Sequence, residues 1–119
     1  MIIRPFVANE SHVDKEGYAV IATAGKAVLV TGATQLSIGV IRAGGAIGAN
    51  SDVALPGSIA PVKLSGTVTK GARLQLAGDG TFVVDATSGA RVLAAIALEA
   101  GIAGDQVDAL ITNPIVYTA

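Results

Sequence analysis

The chain has one histidine, His12, and an imidazole is the side chain most often recruited as a metal ligand or general base. Glu10 and Asp14 flank it at two-residue spacing, so in an extended strand all three would project from one face, the minimum for a metal site. The rest of the segment, Asn9 to Glu16, is polar and offers no second histidine and no cysteine. A solvated polar stretch is therefore the expectation, with no metal ligands assigned. Gly44-Gly45-Ala46-Ile47-Gly48 has the glycine content of a dinucleotide loop but the wrong spacing, no promised helix after it, and no acid about 20 residues on. Gly25-Lys26-Ala27 lacks the Ser or Thr of a phosphate loop and has Val20 where the upstream glycine belongs. Asp79, Asp105 and Asp108 fall at turns or beside a strand, where aspartate is an ordinary turn residue. No serine sits in a nucleophile elbow, and any triad would have to use His12. No catalytic residue and no cofactor site is assigned, and an enzyme is not expected.

If chemistry is scarce, surface has to carry the function. Charged residues make up 14% of the 119-residue chain, against roughly 25% in a typical globular domain. Apolar residues reach 51%, mainly Ala, Val, Ile and Leu. A small domain has much surface per residue, so part of that surface is expected to be Ala, Gly, Thr and Val, some of it buried against partner proteins. The net charge of −1 supplies no basic face for nucleic acid. The longest uncharged run, between Lys26 and Arg42, falls short of the roughly 20 residues a membrane span needs. Met1-Ile2-Ile3-Arg4-Pro5-Phe6 lacks the apolar stretch and cleavage site of a secretory leader. The absence of cysteine excludes disulfides and fits a reducing compartment.

Residues 1–16 read differently from the rest. Ile2, Ile3, Phe6 and Val7 form an apolar tip, Pro5 favours extended chain at Arg4, and a polar stem follows. The expectation is an extended N-terminal arm over 1–16 and a single β-rich domain over 17–119. Ile2, Ile3, Arg4, Phe6 and Val7 are the candidate partner-binding residues. On that reading, deleting residues 1–8 lowers partner binding and leaves the fold intact. The other reading makes this segment the first strand of the domain's own sheet.

From Gly17 onward, short apolar runs are cut by glycine every few residues. Strands are expected over Tyr18 to Thr23, Lys26 to Thr31, Leu36 to Arg42, Asp52 to Leu55, Ile59 to Val68, Ala72 to Ala77, Thr81 to Val84 and Gln106 to Ile111. Ala24-Gly25, Pro56-Gly57 and Gly78-Asp79-Gly80 are turn signals, and Pro61 demotes its strand to an edge or to two pieces. Residues 88–100 admit a short helix capped by Ser88 and ended by Gly101, or a buried strand from Val92 to Leu98. A short internal echo favours the strand. Ile38 to Ile41 runs through a Gly/Ala loop to Asp52-Val53-Ala54-Leu55, and Ala95 to Leu98 through another to Val107-Asp108-Ala109-Leu110. Frequent strands with glycine turns indicate an all-β domain, a small sandwich or barrel, with an aliphatic core.

Two stretches carry a likeness. Gly66-Thr67-Val68-Thr69-Lys70-Gly71-Ala72-Arg73-Leu74 with Gly78-Asp79-Gly80-Thr81-Phe82, and then Ile96 through Leu110 with its Ala97-Leu98-Glu99-Ala100 run and Gly104-Asp105 turn, resemble the small capsid cement (decoration) proteins of tailed bacteriophages. The resemblance spans about residues 36–111 and rests on turn-and-strand patterns. It implies a β-rich protein on the outside of an icosahedral virion shell, assembled in the host cytoplasm. Its partners would be the major capsid protein and two further copies of itself in a homotrimer, with no nucleic acid and no membrane. It brings no catalytic residues. The alternative is a β-sandwich module that binds carbohydrate or a cell surface, for which only Phe6, Tyr18, Phe82 and Tyr117 could stack on sugar rings.

Overall fold

The structure is a computed structural model and describes residues 2–118. All its regular elements are strands: β1 Ile3–Ala8, β2 Ala19–Thr23, β3 Lys26–Leu29, β4 Gly39–Ala43, β5 Asn50–Ala54, β6 Ile59–Lys63, β7 Arg73–Leu76, β8 Phe82–Val84, β9 Arg91–Ala97 and β10 Gln106–Tyr117. The first five close into a barrel in the order β1-β3-β2-β4-β5. The last five form a curled sheet in the order β6-β10-β9-β7-β8, whose two outer strands touch through a bridge between Leu64 and Phe82.

The apolar runs of β2, β4 and β5 fail to alternate with polar residues because these strands are a wall shared by two cores. Val20, Ile41 and Val53 point into the barrel with Phe6 and Ala27. Their chain neighbours Ala19, Val40 and Ala54 point the other way, into the core enclosed by the curled sheet with Val62, Leu64, Leu74, Leu76 and Phe82. A strand buried on both faces reads as a continuous apolar run. Many of the alanines expected at the surface are core residues instead: Ala19, Ala27, Ala54, Ala60, Ala95, Ala97 and Ala109 are all buried. Small side chains let the shared wall approach the second sheet closely. Each buried Val, Leu or Ile contributes about 1.5–3 kcal/mol before chain entropy is subtracted.

Turn chemistry sets the hairpins. Ala24 and Gly25 both have positive φ, 52° and 78°, as a two-residue hairpin turn with the twist of its strands requires. Gly39 sets the start of β4, later than Leu36: a Cβ there would collide with the carbonyl oxygen of Ala54, so only glycine lets β4 pack against β5. Leu36 stays in an exposed loop.

One expectation changes, and the choice left open at residues 88–100 falls to the strand that the internal echo favoured. Residues 3–8 are not a free arm: β1 pairs antiparallel with β5 from Ile3↔Ala54 to Val7↔Asn50 and parallel with β3 at Val7 and Ala8. Phe6 is 8% exposed and fills the barrel, so the tip is consumed by closing the chain's own barrel. Residues 88–100 hold no helix. Arg91–Ala97 is β9, paired with β10 on one side and β7 on the other, and burial from both faces selects the strand. Both halves of the internal echo land on adjacent antiparallel pairs, β4–β5 and β9–β10.

Candidate functional site

The segment 9–17 is pinned at His12 and Gly17, while Asn9, Ser11, Val13 and Asp14 stay exposed. His12 and Ser51 have no exposed surface. The Ser51 hydroxyl accepts from the Gly45 amide at 3.0 Å and lies 2.7 Å from His12 Nδ1. His12 Nε2 lies 2.7 Å from Glu10 Oε2, and Glu10 Oε1 accepts from the Leu29 amide at 3.0 Å. The donors and acceptors all pair when Ser51 donates to Nδ1 and the imidazole carries its proton on Nε2, donating to Glu10; the tautomer is assigned from this network. The His12 amide also donates to the Gly45 carbonyl at 2.8 Å. Gly44 is obligatory beside it, because a Cβ there would strike the His12 carbonyl oxygen.

Serine, histidine and carboxylate in one chain have the composition of a hydrolytic triad. The geometry serves a different end. The serine meets Nδ1 rather than Nε2, and with Ser51 sealed no carbonyl can approach its hydroxyl. What the arrangement does is join the 9–17 segment, the β4–β5 loop and β3 into one unit. Asp14 stands apart from it, exposed and at φ 63°. Among the described residues no group of three or more His, Cys, Asp or Glu side chains could hold a metal ion. Sequence reading placed His12 in solvent because its partner Ser51 lies 39 residues away.

A second polar cluster holds the loop before β9. Arg91, buried, donates from Nε to Asp85 at 2.6 Å and from a terminal nitrogen to the Gly89 carbonyl at 3.0 Å, and its guanidinium lies 4.1 Å from the centroid of the Tyr117 ring. The Asp85 carboxyl is held below the usual carboxylate range, first by the Thr87 amide and then by Arg91, with burial opposing. Asp79 in the β7–β8 turn is likewise lowered, chiefly by the Thr81 hydroxyl, with help from the Thr81 amide and from the charge on Lys15. Both groups are committed to their own turns.

The surface feature of the molecule is the outer face of the curled sheet. Ile59 of β6 is paired with Leu110 of β10, Leu110 with Ile96 of β9, and Ile96 with Arg73 of β7. Their chain neighbours Ala60, Ala109, Ala95 and Leu74 are buried in the core, so this row faces outward. It presents three aliphatic side chains in succession and ends in a cation. Ile59 is 50% exposed, and Leu110 and Ile96 are partly exposed. Beside the row, Arg73, Leu93, Ile96, Thr112 and Ile115 line a small, mainly apolar pit. A bulge in β10 between Ile111 and Ile115 brings Ile115 opposite Leu93, and Ile115 is 44% exposed.

The candidate partner residues divide. Phe6 is buried and Ile3 half-buried, whereas Ile2, Arg4 and Val7 are exposed. Arg4 packs its guanidinium 4.7 Å from the centre of the Phe6 ring. Ile2 donates its amide to the Ser58 hydroxyl at 2.8 Å, which holds it at the turn before β6, where its side chain lies over Gly57. The outer row was missed by sequence reading, although Ile59, Ile96 and Leu110 are visible as apolar residues in expected strands. No protein family and no curated protein matches the chain.

Proposed function

We propose that the chain is a structural cement protein that binds the outer surface of a viral icosahedral shell and clamps adjacent major capsid subunits. The observation that carries this reading is the outward row Ile59–Leu110–Ile96 with its neighbouring pit. A clamp needs area and shape rather than reactivity. Here the polar groups are tied into internal latches, while aliphatic side chains face outward from a rigid sheet. The resemblance over residues 36–111 points the same way, and its trimer would present the row three times over, toward the roughly 800 Å² per partner of a stable interface.

The carbohydrate-binding alternative has less to work with. Phe6 and Phe82 are buried, the Tyr117 ring faces Arg91, and the Tyr18 ring lies 4.7 Å from the Lys15 ammonium. The test is the heat stability of mature shells with and without the protein, together with its solution mass. Shells that survive heating to a higher temperature with a trimer added support the reading. Unchanged shells, with a protein that binds glycans instead, would replace it.

A further inference from the structure

A β-protein offers neighbours its edges as well as its faces, and an open edge is a template for strand addition. The hydrogen bonds that bracket each ladder show which way the edge amides point. On β6, the Ile111 amide donates to the Ser58 carbonyl at 2.8 Å and the Leu64 amide to the Asp105 carbonyl at 2.9 Å. Residues 58, 60, 62 and 64 therefore turn their backbone groups toward β10, and 59, 61 and 63 turn theirs outward. The Lys63 amide agrees, donating away from β10 to the Gly17 carbonyl at 3.0 Å. The outward position between Ile59 and Lys63 is Pro61, which has no amide hydrogen.

The same holds on β1. The Ala8 amide donates to Ala49 and the Leu55 amide to the Ile2 carbonyl, both at 2.8 Å, so even-numbered residues face β5 and odd-numbered ones face away. The Asn9 amide does face away, to the Ala27 carbonyl at 3.1 Å. On that side β3 pairs only with Val7 and Ala8, and Pro5 falls where the partner strand has run out. The remaining edges are blunted differently. The strand β8 is three residues long and its start is bridged to Leu64, and β10 outruns β6 through the bulge that contains Pro114.

We infer that Pro5 and Pro61 guard the unpaired stretches Ile3–Pro5 of β1 and Ile59–Pro61 of β6 against addition of a strand from a second copy of this chain, so that its self-contacts are made by side-chain faces. The test is concentration-dependent light scattering and thioflavin binding of P5T, P61T and, as a control, P56A, whose proline sits in a turn, with folding followed by circular dichroism. Folded P5T or P61T should form, beyond the parent's own assembly, at least a tenfold larger associated fraction at high concentration, while P56A behaves as the parent. The inference is overturned if both folded variants keep the parent's mass throughout, or if P56A associates as strongly as they do.

Discussion

Ile59 stands directly opposite Leu110 on the outer face of the curled sheet, on a pair of antiparallel strands whose inner neighbours Ala60 and Ala109 are buried. At this pair the alternation turns alanine inward and presents branched aliphatics to solvent, the reverse of the usual arrangement. That inversion links the aliphatic composition to an adhesive role.

Charge placed on this row should cost binding while the fold is retained. In I59D and I96D, a carboxylate replaces a side chain that faces outward and is absent from the core clusters. Shell occupancy is expected to fall at least tenfold in the double variant. Stability should change by about 1 kcal/mol or less at exposed Ile59, as for surface substitutions, and by about 1–3 kcal/mol at half-buried Ile96, which lines the pit on a strand paired on both sides. Occupancy by gel densitometry and the thermal midpoint read the two effects separately.

The N-terminal strand makes the opposite prediction. Removing residues 1–8 deletes β1 and opens the barrel, leaving β5 unpaired along its outer side. Cooperative unfolding should be lost along with any binding. Phe6→Ala alone should cost about 3 kcal/mol or more, from lost burial and the cavity left behind. Urea titration followed by circular dichroism checks both.

Ser51→Ala removes the hydroxyl that bridges Gly45 and His12 and leaves two buried polar groups without partners. A loss of about 1–3 kcal/mol is expected. Hydrogen exchange at the Gly45 amide should speed up even where the fold persists.

Acid should weaken the protein through its turn aspartates. Asp79 and Asp85 are both held below their ordinary values in the folded state. The unfolded chain therefore takes up protons first as pH falls. The stabilisation is complete above about pH 4, the ordinary aspartate value, and is lost as pH drops further through the folded values. Denaturant midpoints between pH 6 and pH 2 should show this decline, and D79N should flatten it.

The local features were legible in the sequence, and the closures were not. Ala24-Gly25 and Gly78-Asp79-Gly80 mark their hairpins because a tight turn has few backbone solutions, and Pro61 announces an edge strand because it cannot donate. The alternation of Arg73, Leu74, Gln75 and Leu76 also reads correctly, since one face of β7 is buried. The choice between arm and first strand stayed open for Ile3–Ala8 because their partner, Asn50–Ala54, lies over forty residues away and nothing local announces the pairing. His12 was misread for the same reason. The outer row is a property of register: Ile59, Ile96 and Leu110 become neighbours only when β6, β10 and β9 are aligned.

Whether the protein binds shells through its outer sheet face is read by co-sedimentation of the purified protein with mature shells over a concentration series. Binding should saturate at a fixed number of copies per shell and be lost in the I59D/I96D double variant while its fold is retained. A parent protein that stays in the supernatant at every concentration, or a double variant that binds as well as the parent, would contradict binding through that face.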